Sequence, residues 1–277
     1  MRSQLERFSG RRAFITGAGS GLGRALCYRL AARGWTIGVQ DVREDTARET
    51  LAGVEQRGGT GRVFVFDVSR FEAFQQAAKE FLEAFGGVDL VVNNAGVAVA
   101  WLAEDVSQAD WEWILGINLM GPIHGCRIFL PTLRAQGKGH VVNVASLAGL
   151  IAGPTMGPYN VTKFGVVGLS ETLRAELVDS GVSVTVVCPS FFQTNIVNAM
   201  RSNDPTARSL GTQLVARSGV SAEDVADAVL DAVASDRLYV LPQWDARGLW
   251  LLKRLFPAGV PTIFAWGFRK ARALQSS

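Results

Sequence analysis

The sequence is poor in the residues on which metal sites and disulfide frameworks depend. Its 277 residues include three cysteines and two histidines. The cysteines, Cys27, Cys126 and Cys188, are widely spaced and form no Cys-x-x-Cys pair, which is typical of reduced, buried thiols in a cytoplasmic protein. The histidines, His124 and His140, are too few for a histidine-rich metal site. We expect each to be a surface residue or a hydrogen-bonded structural one.

Strong net charge and long apolar runs are also missing. A net charge of +3 is too small to indicate nucleic-acid binding. The N-terminal MRSQLERFSGRR is charged and does not resemble a secretion signal. The longest apolar candidate, AGVPTIFAWGF at 258–268, contains a proline and is shorter than the roughly 18 to 20 residues that cross a membrane. With 48% hydrophobic and 19% charged residues, the composition is typical of a globular, cytoplasmic protein.

Short runs rich in β-branched residues alternate with longer stretches of helical periodicity. The strand-like runs are AFIT (13–16), TIGVQ (36–40), RVFVF (62–66), VDLVVN (88–93), HVVNVA (140–145) and VSVTVV (182–187). The clearest helical stretches are 22–34, 70–86 and 165–181. Apolar strands separated by amphipathic helices predict a doubly wound α/β fold, a parallel sheet of about seven strands with helices on both faces. No linker divides residues 1–236, which we predict to be one domain.

The carboxyl ends of such strands form the ligand-binding edge, so the residues that follow each strand matter most. After the first strand comes TGAGSGLG, which leads directly into a helix. Glycines there allow a tight turn and a close approach of the backbone to a pyrophosphate, which then faces the helix N-terminus. The alternative is a turn that serves packing only. The candidate cofactor residues of this turn are Gly17, Ser20, Gly21, Leu22 and Gly23.

The next two strands end in acidic residues. Asp41 lies 18 residues after Gly23, where a carboxylate binds the ribose hydroxyls and repels a 2′-phosphate, so NAD is favoured over NADP. Arg43 stands close enough to leave NADP open, and Asp41 could instead cap the following helix. Asp67 and Val68 end the third strand and are candidates for the adenine contact, although a turn or N-cap role for Asp67 fits the spacing equally well.

The fourth and fifth strands end in NNAG (93–96) and NVASLAG, which place Asn94, Gly96 and Ser146 at the same edge. Thirteen residues after Ser146 stands Tyr159, in the stretch GPYNVTK. Tyr159 and Lys163 are four positions apart and therefore share one face of a helix. Such a pair alone is weak evidence for catalysis, and its significance depends on the residues around it.

Together these motifs resemble the short-chain dehydrogenase/reductase family, in the branch with one domain, over residues 10–235. The matching motifs, in order, are TGAGSGLG, NNAG, Asn118 in GINLMG, Ser146, YNVTK and CPSFFQT (188–194). One departure is visible, because the family has Pro-Gly where this chain has Pro189–Ser190. Serine has less backbone freedom than glycine, so we expect a slightly different loop there.

The resemblance implies a role for each catalytic candidate and requires no metal. Tyr159 is the expected general acid/base, and Lys163 is expected to lower the pKa of Tyr159 from its usual value of about 10 and to hold the nicotinamide ribose. Ser146 orients the substrate oxygen. Asn118 holds a helix distortion and a water that belongs to a proton relay. Thr194 contacts the nicotinamide carboxamide, and hydride transfer is the chemistry of the cofactor.

Apolar residues near this edge suggest a hydrophobic secondary alcohol or ketone as substrate, although each could equally be a core residue. The predicted pocket residues are Val97, Ala98, Leu147, Met156, Phe191 and Phe192. We predict a substrate lid near 190–213, because the segment 195–213 is polar and irregular in its middle, as a mobile lid would be. Homodimers or homotetramers are the expected assembly.

Residues 237–277 differ in composition from the rest, and we call them the tail. The tail has seven basic residues against one acidic residue, a net charge of +6, whereas the remaining 21 basic and 24 acidic residues give −3. It also contains three of the seven tryptophans, and ARGLWLLKRLF predicts a short amphipathic helix. We favour a tail that covers the active site or packs on a neighbouring subunit. An anionic membrane surface and a solvated extension are the alternatives.

Two other functions stay open from the motifs. Sugar-nucleotide epimerases and dehydratases share Tyr-x-x-x-Lys, but they are longer and have a Gly-x-x-Gly-x-x-Gly turn, and this sequence has neither feature. A nucleotide-binding sensor without turnover commonly lacks the tyrosine or the lysine. Here Asn118, Ser146, Tyr159 and Lys163 are all present, so an oxidoreductase is the leading prediction.

Overall fold

Seven parallel strands form one sheet in the order β3-β2-β1-β4-β5-β6-β7. The structure is a computed structural model, and it describes residues 5–194, 196, 199–202 and 205–275. The strands are β1 Arg12–Ile15, β2 Thr36–Asp41, β3 Thr60–Val65, β4 Leu90–Asn93, β5 Gly139–Val144, β6 Val182–Val187 and β7 Tyr239–Val240. The chain reverses its direction of winding between β1 and β4, where the strand order switches. Ligands bind at such a switch point in open α/β sheets.

Ten α-helices occur in the described residues. They are α1 Gly21–Ala31, α2 Glu44–Glu55, α3 Phe71–Phe85, α4 Gln108–Leu115, α5 Gly121–Gln136, α6 Gly157–Glu176, α7 Pro205–Arg217, α8 Ala222–Ala234, α9 Trp244–Leu255 and α10 Gly259–Gln275. Strand β1 shows how the two faces of the sheet differ. Ala13 and Ile15 pack with α1 and α8, while Phe14 points to the opposite face and contacts Phe74 and Phe129 of α3 and α5. Helices on both faces confirm the predicted doubly wound fold.

Helix α6 begins eight residues before the helical stretch that the sequence indicates. Pro158 lies in its first turn, where the missing N–H costs no intrahelical hydrogen bond. Tyr159 and Lys163 are therefore both helical and stand one turn apart. The same tolerance explains α10, because Pro261 lies in the first turn of that helix and does not interrupt it.

The two histidines are both buried and hydrogen-bonded, so a surface position is wrong for either. His124 contacts the Val68 carbonyl at 3.0 Å. His140 lies between Arg7 and the Thr185 hydroxyl, and burial lowers its pKa to about 3. The three cysteines are also buried and unpaired with one another, as the sequence predicts.

One helical stretch of the described chain, Gln108–Gln136, is long and apolar enough by composition to span a membrane. It consists of α4, a π-helical segment Gly116–Met120, and α5. Its inner side, including Cys126, Phe129 and Leu133, is part of the core beneath the sheet. That packing is typical of the core helix of a globular domain.

The predicted domain boundary at residue 236 falls immediately before β7. This strand pairs with β6, with Val186 opposite Tyr239 and Val187 opposite Val240. The last strand of the sheet therefore belongs to the tail. Beyond it, α9 and α10 pack on the domain through Ala246 and Val260, which are almost fully buried.

Candidate active site

The glycine-rich turn between β1 and α1 is shaped for a ligand that approaches the backbone closely. Gly17 and Gly21 have φ values of 61° and 52°, which disfavour any residue with a Cβ. A Cβ on Gly21 would lie 3.2 Å from the Thr194 hydroxyl, so the turn meets the loop after β6. The first turn of α1 contains no acidic residue, and Ser20 does not cap it with its side chain. Its N–H groups and the helix dipole suit a pyrophosphate.

Side chains that the motifs did not indicate hold this turn in place. The Gly17 N–H donates to Gln40 Oε1 at 3.1 Å, and the Thr16 hydroxyl accepts hydrogen bonds from the N–H groups of Asn94 and Ala95. The Asn94 side chain donates to the carbonyls of Thr16 and Gly17 at 2.9 and 3.1 Å. Asn94, a predicted cofactor residue, thus supports the turn. Gln40 precedes Asp41 in the sequence, but nothing in its local pattern signals this role.

Asp41 stands at the end of β2 beside the turn. Its Oδ2 accepts the Gly19 N–H at 2.9 Å, and its Oδ1 accepts the Arg43 N–H at 3.0 Å. It is not the N-cap of α2, since that position is Arg43. A half-buried carboxylate beside the turn is placed to accept ribose hydroxyls and to repel a phosphate group.

The end of β3 supplies Asp67 and Val68. Asp67 is exposed, and its Oδ1 accepts the Ser69 N–H at 2.9 Å, which is the turn role that the sequence left open. Val68 is buried against Gly121, where a Cβ on the glycine would lie 3.0 Å from the valine side chain. An adenine contact by the Asp67 carboxylate would add to this turn and does not conflict with it.

Tyr159, Ser146 and Lys163 come together where β5 and α6 meet. A hydrogen bond joins the side chains of Tyr159 and Ser146. The Ser146 hydroxyl also accepts the Ala148 N–H at 3.1 Å, which fixes it at the start of the short helix Leu147–Gly149. Lys163 Nζ donates to the Val144 carbonyl at 2.9 Å and lies 5.6 Å from the Tyr159 ring centroid. The motif residues therefore form one cluster.

The charge state of this cluster differs from the one predicted. The pKa of Tyr159 is raised, chiefly because burial disfavours the tyrosinate, and the hydrogen bond to Ser146 offsets only part of this effect. The net direction is therefore opposite to the expected lowering of the Tyr159 pKa, because the effect of burial is larger than that of the polar contacts. Burial lowers the pKa of Lys163 itself to about 8. Both groups are held in a dry environment where a small change in charge has a large effect on either pKa.

Asn118 lies in the π-helical segment between α4 and α5. Its Oδ1 accepts the Val97 N–H and its Nδ2 donates to the Val97 carbonyl, both at 2.8 Å. A weaker contact of 3.4 Å joins Nδ2 to the Thr162 hydroxyl on α6. A Cβ on Gly96 would lie 3.5 Å from Asn118 Oδ1 and 3.6 Å from Lys163 Nζ. Asn118 thus connects the NNAG loop to the Tyr159 helix.

An apolar cluster surrounds Tyr159 and includes three of the six residues predicted for the pocket. Val97 and Met156 pack here, together with Ala98. The cluster also contains residues that the sequence did not indicate, namely Val99, Ala100, Trp101, Ile114, Trp113, Ala148, Ile196 and Met200. Trp101 and Met156 are paired by a single parallel bridge, which closes one side of the cluster.

The other three predicted pocket residues lie elsewhere. Leu147 packs with the tail cluster of Leu249 and Trp250, and Phe192 packs on the core formed with α8. Phe191 is 44% exposed. They follow strands at the correct edge, but their side chains turn towards different partners, which the order of residues along the chain does not reveal.

The loop after β6 is held by a residue of the tail. Gln243 is buried, its Oε1 accepts the Ser190 N–H at 3.0 Å, and its Nε2 donates to the Phe191 carbonyl at 3.2 Å. The serine that replaces the family's glycine thus uses its N–H to bind the tail. Sequence patterns gave no sign of Gln243.

The predicted lid is partly helical. Helix α7 occupies Pro205–Arg217, so the irregular middle expected of 195–213 is helical from Pro205 onward. Residues 195, 197, 198, 203 and 204 lie outside the described part of the chain. Arg201 ties the segment to the domain. It forms an ion pair with Asp110 at 2.7 Å, stacks 3.7 Å from the Trp113 ring centroid, and exchanges backbone hydrogen bonds with Ala98 and Ala100.

Comparison with known proteins places this site in a family. The family model of the short chain dehydrogenase matches residues 11–205. A short chain dehydrogenase/reductase from Burkholderia phymatum, solved in complex with NAD, is 35% identical and superposes with a TM-score of 0.84, covering 88% of this chain and 92% of its own. Levodione reductase is 30% identical with a TM-score of 0.77, covering 85% and 96%.

A curated relative extends the likeness into the tail. The CLA biosynthesis dehydrogenase/reductase of Lactiplantibacillus plantarum is 30% identical over 280 aligned positions, which cover 94% of this chain and 98% of the relative. The match of the family model over most of the chain, the shared fold and the convergence of the motifs at one sheet edge agree. This chain belongs to the short-chain dehydrogenase/reductase family of oxidoreductases.

Proposed function

We propose that this oxidoreductase transfers a hydride between a nicotinamide cofactor and a hydrophobic secondary alcohol or ketone, with Tyr159 as the acid/base. The observation that carries this proposal is the Tyr159 hydroxyl, which is hydrogen-bonded to Ser146, one helical turn from Lys163, and surrounded by apolar side chains. Hydride chemistry is what the nicotinamide supplies when it is bound.

The residues of the chain fit that cofactor. Gly17, Gly21 and the N-terminus of α1 would hold the pyrophosphate, Asp41 the adenosine ribose, and Thr194, beside Gly21, the nicotinamide end. Asp41 favours NAD over NADP because its carboxylate would repel a 2′-phosphate. The named relatives include an NAD complex and a dehydrogenase/reductase, which supports the same assignment.

The raised pKa of Tyr159 defines its part in ketone reduction. At neutral pH its hydroxyl is protonated, so it and the Ser146 hydroxyl can donate to a carbonyl oxygen, and Tyr159 then gives up its proton to the alkoxide. Lys163, largely protonated with a pKa of about 8, stabilises the resulting tyrosinate at short range. Asn118 fixes the backbone of Val97 opposite this pair.

Replacing Tyr159 by phenylalanine tests the proposal. The Tyr159→Phe variant should bind NADH as the wild type does, because its hydroxyl is not needed for the glycine turn or Asp41. Turnover should fall by about 10²- to 10⁴-fold, the usual contribution of a positioned acid. A panel of secondary alcohols and ketones, assayed with NAD(H) and NADP(H) by nicotinamide absorbance, measures turnover, and cofactor fluorescence measures binding.

The chain offers a matched control, because only three tyrosines are present. Tyr28 lies on α1 and packs beneath the guanidinium group of Arg57. The Tyr28→Phe variant should keep normal turnover. Near-normal kcat in Tyr159→Phe would remove Tyr159 from the proton transfer. Binding of NADH without turnover of any substrate by the wild type would favour the nucleotide sensor, and turnover of a nucleotide sugar would favour the epimerase class.

We further propose a cytoplasmic protein that assembles as a homodimer or homotetramer, with residues 1–236 as the unit that contains the cofactor and catalytic sites. Three buried, unpaired cysteines suit a reducing compartment. Mass measurement in solution tests the assembly.

A further inference from the structure

Exposed apolar side chains are concentrated in the tail. Seven of the fifteen large apolar side chains that are exposed in the described chain lie between residues 244 and 266. Five of them define what we call the outer face, and they are Trp244, Leu251 and Leu255 of α9 and Ile263 and Trp266 of α10. Their exposed fractions range from 58% to 84%. An exposed apolar surface of this kind marks an interaction site.

Helical spacing shows that the outer face is distinct from the packed side of the same helices. In α9, positions 244, 251 and 255 are separated by seven and four residues and so share one side. In α10, Ile263 and Trp266 are exposed, whereas Val260 and Phe264 pack on the domain. Ala246 and Val260 lie on the packed side and are 1% and 2% exposed. Each helix is therefore apolar on two sides, and only one of them is covered by its own chain.

The outer face is rimmed by cations that are not neutralised. Arg247, Arg254, Arg269 and Lys270 are exposed, and within the described part of the chain no ion pair involves a residue after 236. Two cations lie over tail tryptophans, Arg254 at 5.3 Å from the Trp250 ring centroid and Lys270 at 5.5 Å from the Trp266 ring centroid. Asp245 is the single acidic residue of the tail.

The positive charge around the outer face indicates which kind of partner covers it. In an isologous dimer the same patch meets itself, so a second copy would bring Arg247, Arg254, Arg269 and Lys270 close to the same four cations around an apolar centre. An anionic bilayer offers the complementary pair of properties, because its headgroups attract the cations while tryptophan and leucine side chains enter the interface.

We propose that the outer face of α9 and α10 binds the surface of an anionic lipid bilayer. The helices lie on the membrane and do not cross it, since α10 has only 17 residues and its covered side remains packed on the domain. This surface is separate from the proposed hydride transfer, and neither depends on the other.

Vesicle flotation of the full chain tests the proposal. Vesicles of phosphatidylcholine with phosphatidylglycerol should carry the protein upward, and vesicles of phosphatidylcholine alone should carry much less. Added salt should weaken binding, because it screens the interaction of the cations with the headgroups.

Two double variants separate the apolar from the electrostatic contribution. Leu255→Gln with Trp266→Gln removes apolar area, and Arg254→Glu with Lys270→Glu reverses two charges; each should bind anionic vesicles roughly tenfold more weakly or worse. The matched controls lie outside the tail. Val178, at 70% exposed, serves as Val178→Gln, and the exposed Arg70 and Arg217 serve as Arg70→Glu with Arg217→Glu. Both controls should bind as the wild type does.

Solution mass at several protein concentrations completes the test. The proposal holds if wild type and outer-face variants have the same mass without lipid and differ only in vesicle binding. It is overturned if the wild type does not float with anionic vesicles, if the outer-face variants float unchanged, or if those variants lose an oligomer that the wild type forms, in which case a second copy covers the face.

Discussion

The sheet edge around Tyr159 and the tail differ in which side chains they bury, and we call the first region the edge. At the edge, three polar side chains are buried and hydrogen-bonded: Asn118 and Thr162 are 0% exposed, and Lys163 is 3% exposed and donates to the Val144 carbonyl. In the tail, apolar groups are exposed, with Trp244 at 84% and Leu255 at 65%. Both arrangements cost free energy in an isolated chain, and both indicate function, since a buried cation and an uncovered apolar face each need a reason to persist.

This difference indicates what kind of partner each region requires. Hydrogen bonds within the chain already fix the positions of the edge residues, so their chemistry needs only small molecules. The tail has one face fixed by packing and one face without a covering, so its partner is a surface. Gln243 is the point at which the two regions meet, because it bonds the loop after β6.

After Tyr159→Phe, the largest effect is expected from Lys163→Met, which replaces the buried cation of the edge by a side chain of similar length. Turnover should fall by about a hundredfold, because the tyrosinate loses its neighbouring positive charge. The free energy of unfolding at neutral pH should nevertheless rise by about 1 kcal/mol or more, because a desolvated charge has been removed. Steady-state kinetics and urea denaturation check the two expectations, with the exposed Lys79→Met as control.

The pH dependence of that stability difference has a definite sign. The pKa of Lys163 in the folded chain is lowered from 10.5 to about 8, so the folded state binds fewer protons than the unfolded state between these values. The wild type therefore gains stability relative to Lys163→Met as pH rises through this window. A constant difference across it would show that Lys163 is not desolvated.

A smaller effect, on the preference for NADH over NADPH, is expected from a change at Asp41. Asp41→Ala removes the carboxylate that would repel a 2′-phosphate, so the ratio of kcat/KM for NADH to that for NADPH should fall by about tenfold. Asp67→Ala, at the end of the next strand, is the matched control and should leave the ratio unchanged. Equal use of both cofactors by the wild type would contradict the assigned role of Asp41.

Gln243→Leu removes the two hydrogen bonds that connect the tail to the loop after β6. The Ser190 N–H and the Phe191 carbonyl lose their partner, so the loop after β6 should loosen and KM for the substrate should rise by about three- to tenfold, with a smaller change in kcat. Gln56→Leu, at the exposed end of α2, is the control. An unchanged KM would mean that the loop does not depend on the tail.

The smallest effects compare the two sides of one tail helix. Val260→Ala, on the packed side, should lower the free energy of unfolding by about 1–2 kcal/mol through lost packing. Ile263→Ala, on the outer face, should change it by less than about 0.5 kcal/mol. Thermal denaturation without lipid measures both, and equal losses would show that the outer face is covered in solution.

Sequence patterns were sufficient to predict the sheet, the order of its strand ends and the residues that meet at its edge. Apolar strands with no polar alternation require two covered faces, and the glycines of TGAGSGLG and the Tyr159–Lys163 spacing are local features whose geometry follows from backbone sterics and helix periodicity. Such features can be read from neighbouring residues, and the structure placed them where expected.

The three-dimensional packing was needed to show which side chains surround Tyr159 and how burial changes the pKa values there. Leu147 and Phe192 pack outside the apolar cluster around Tyr159, whereas Trp101 and Met200 belong to it, because side-chain direction depends on partners that are distant in sequence. The pKa of Tyr159 rises because burial outweighs its polar contact, and burial is a property of the assembled fold. The outer face of the tail also depends on the folded structure. Composition predicts an amphipathic helix, but only packing shows which apolar side of that helix remains uncovered.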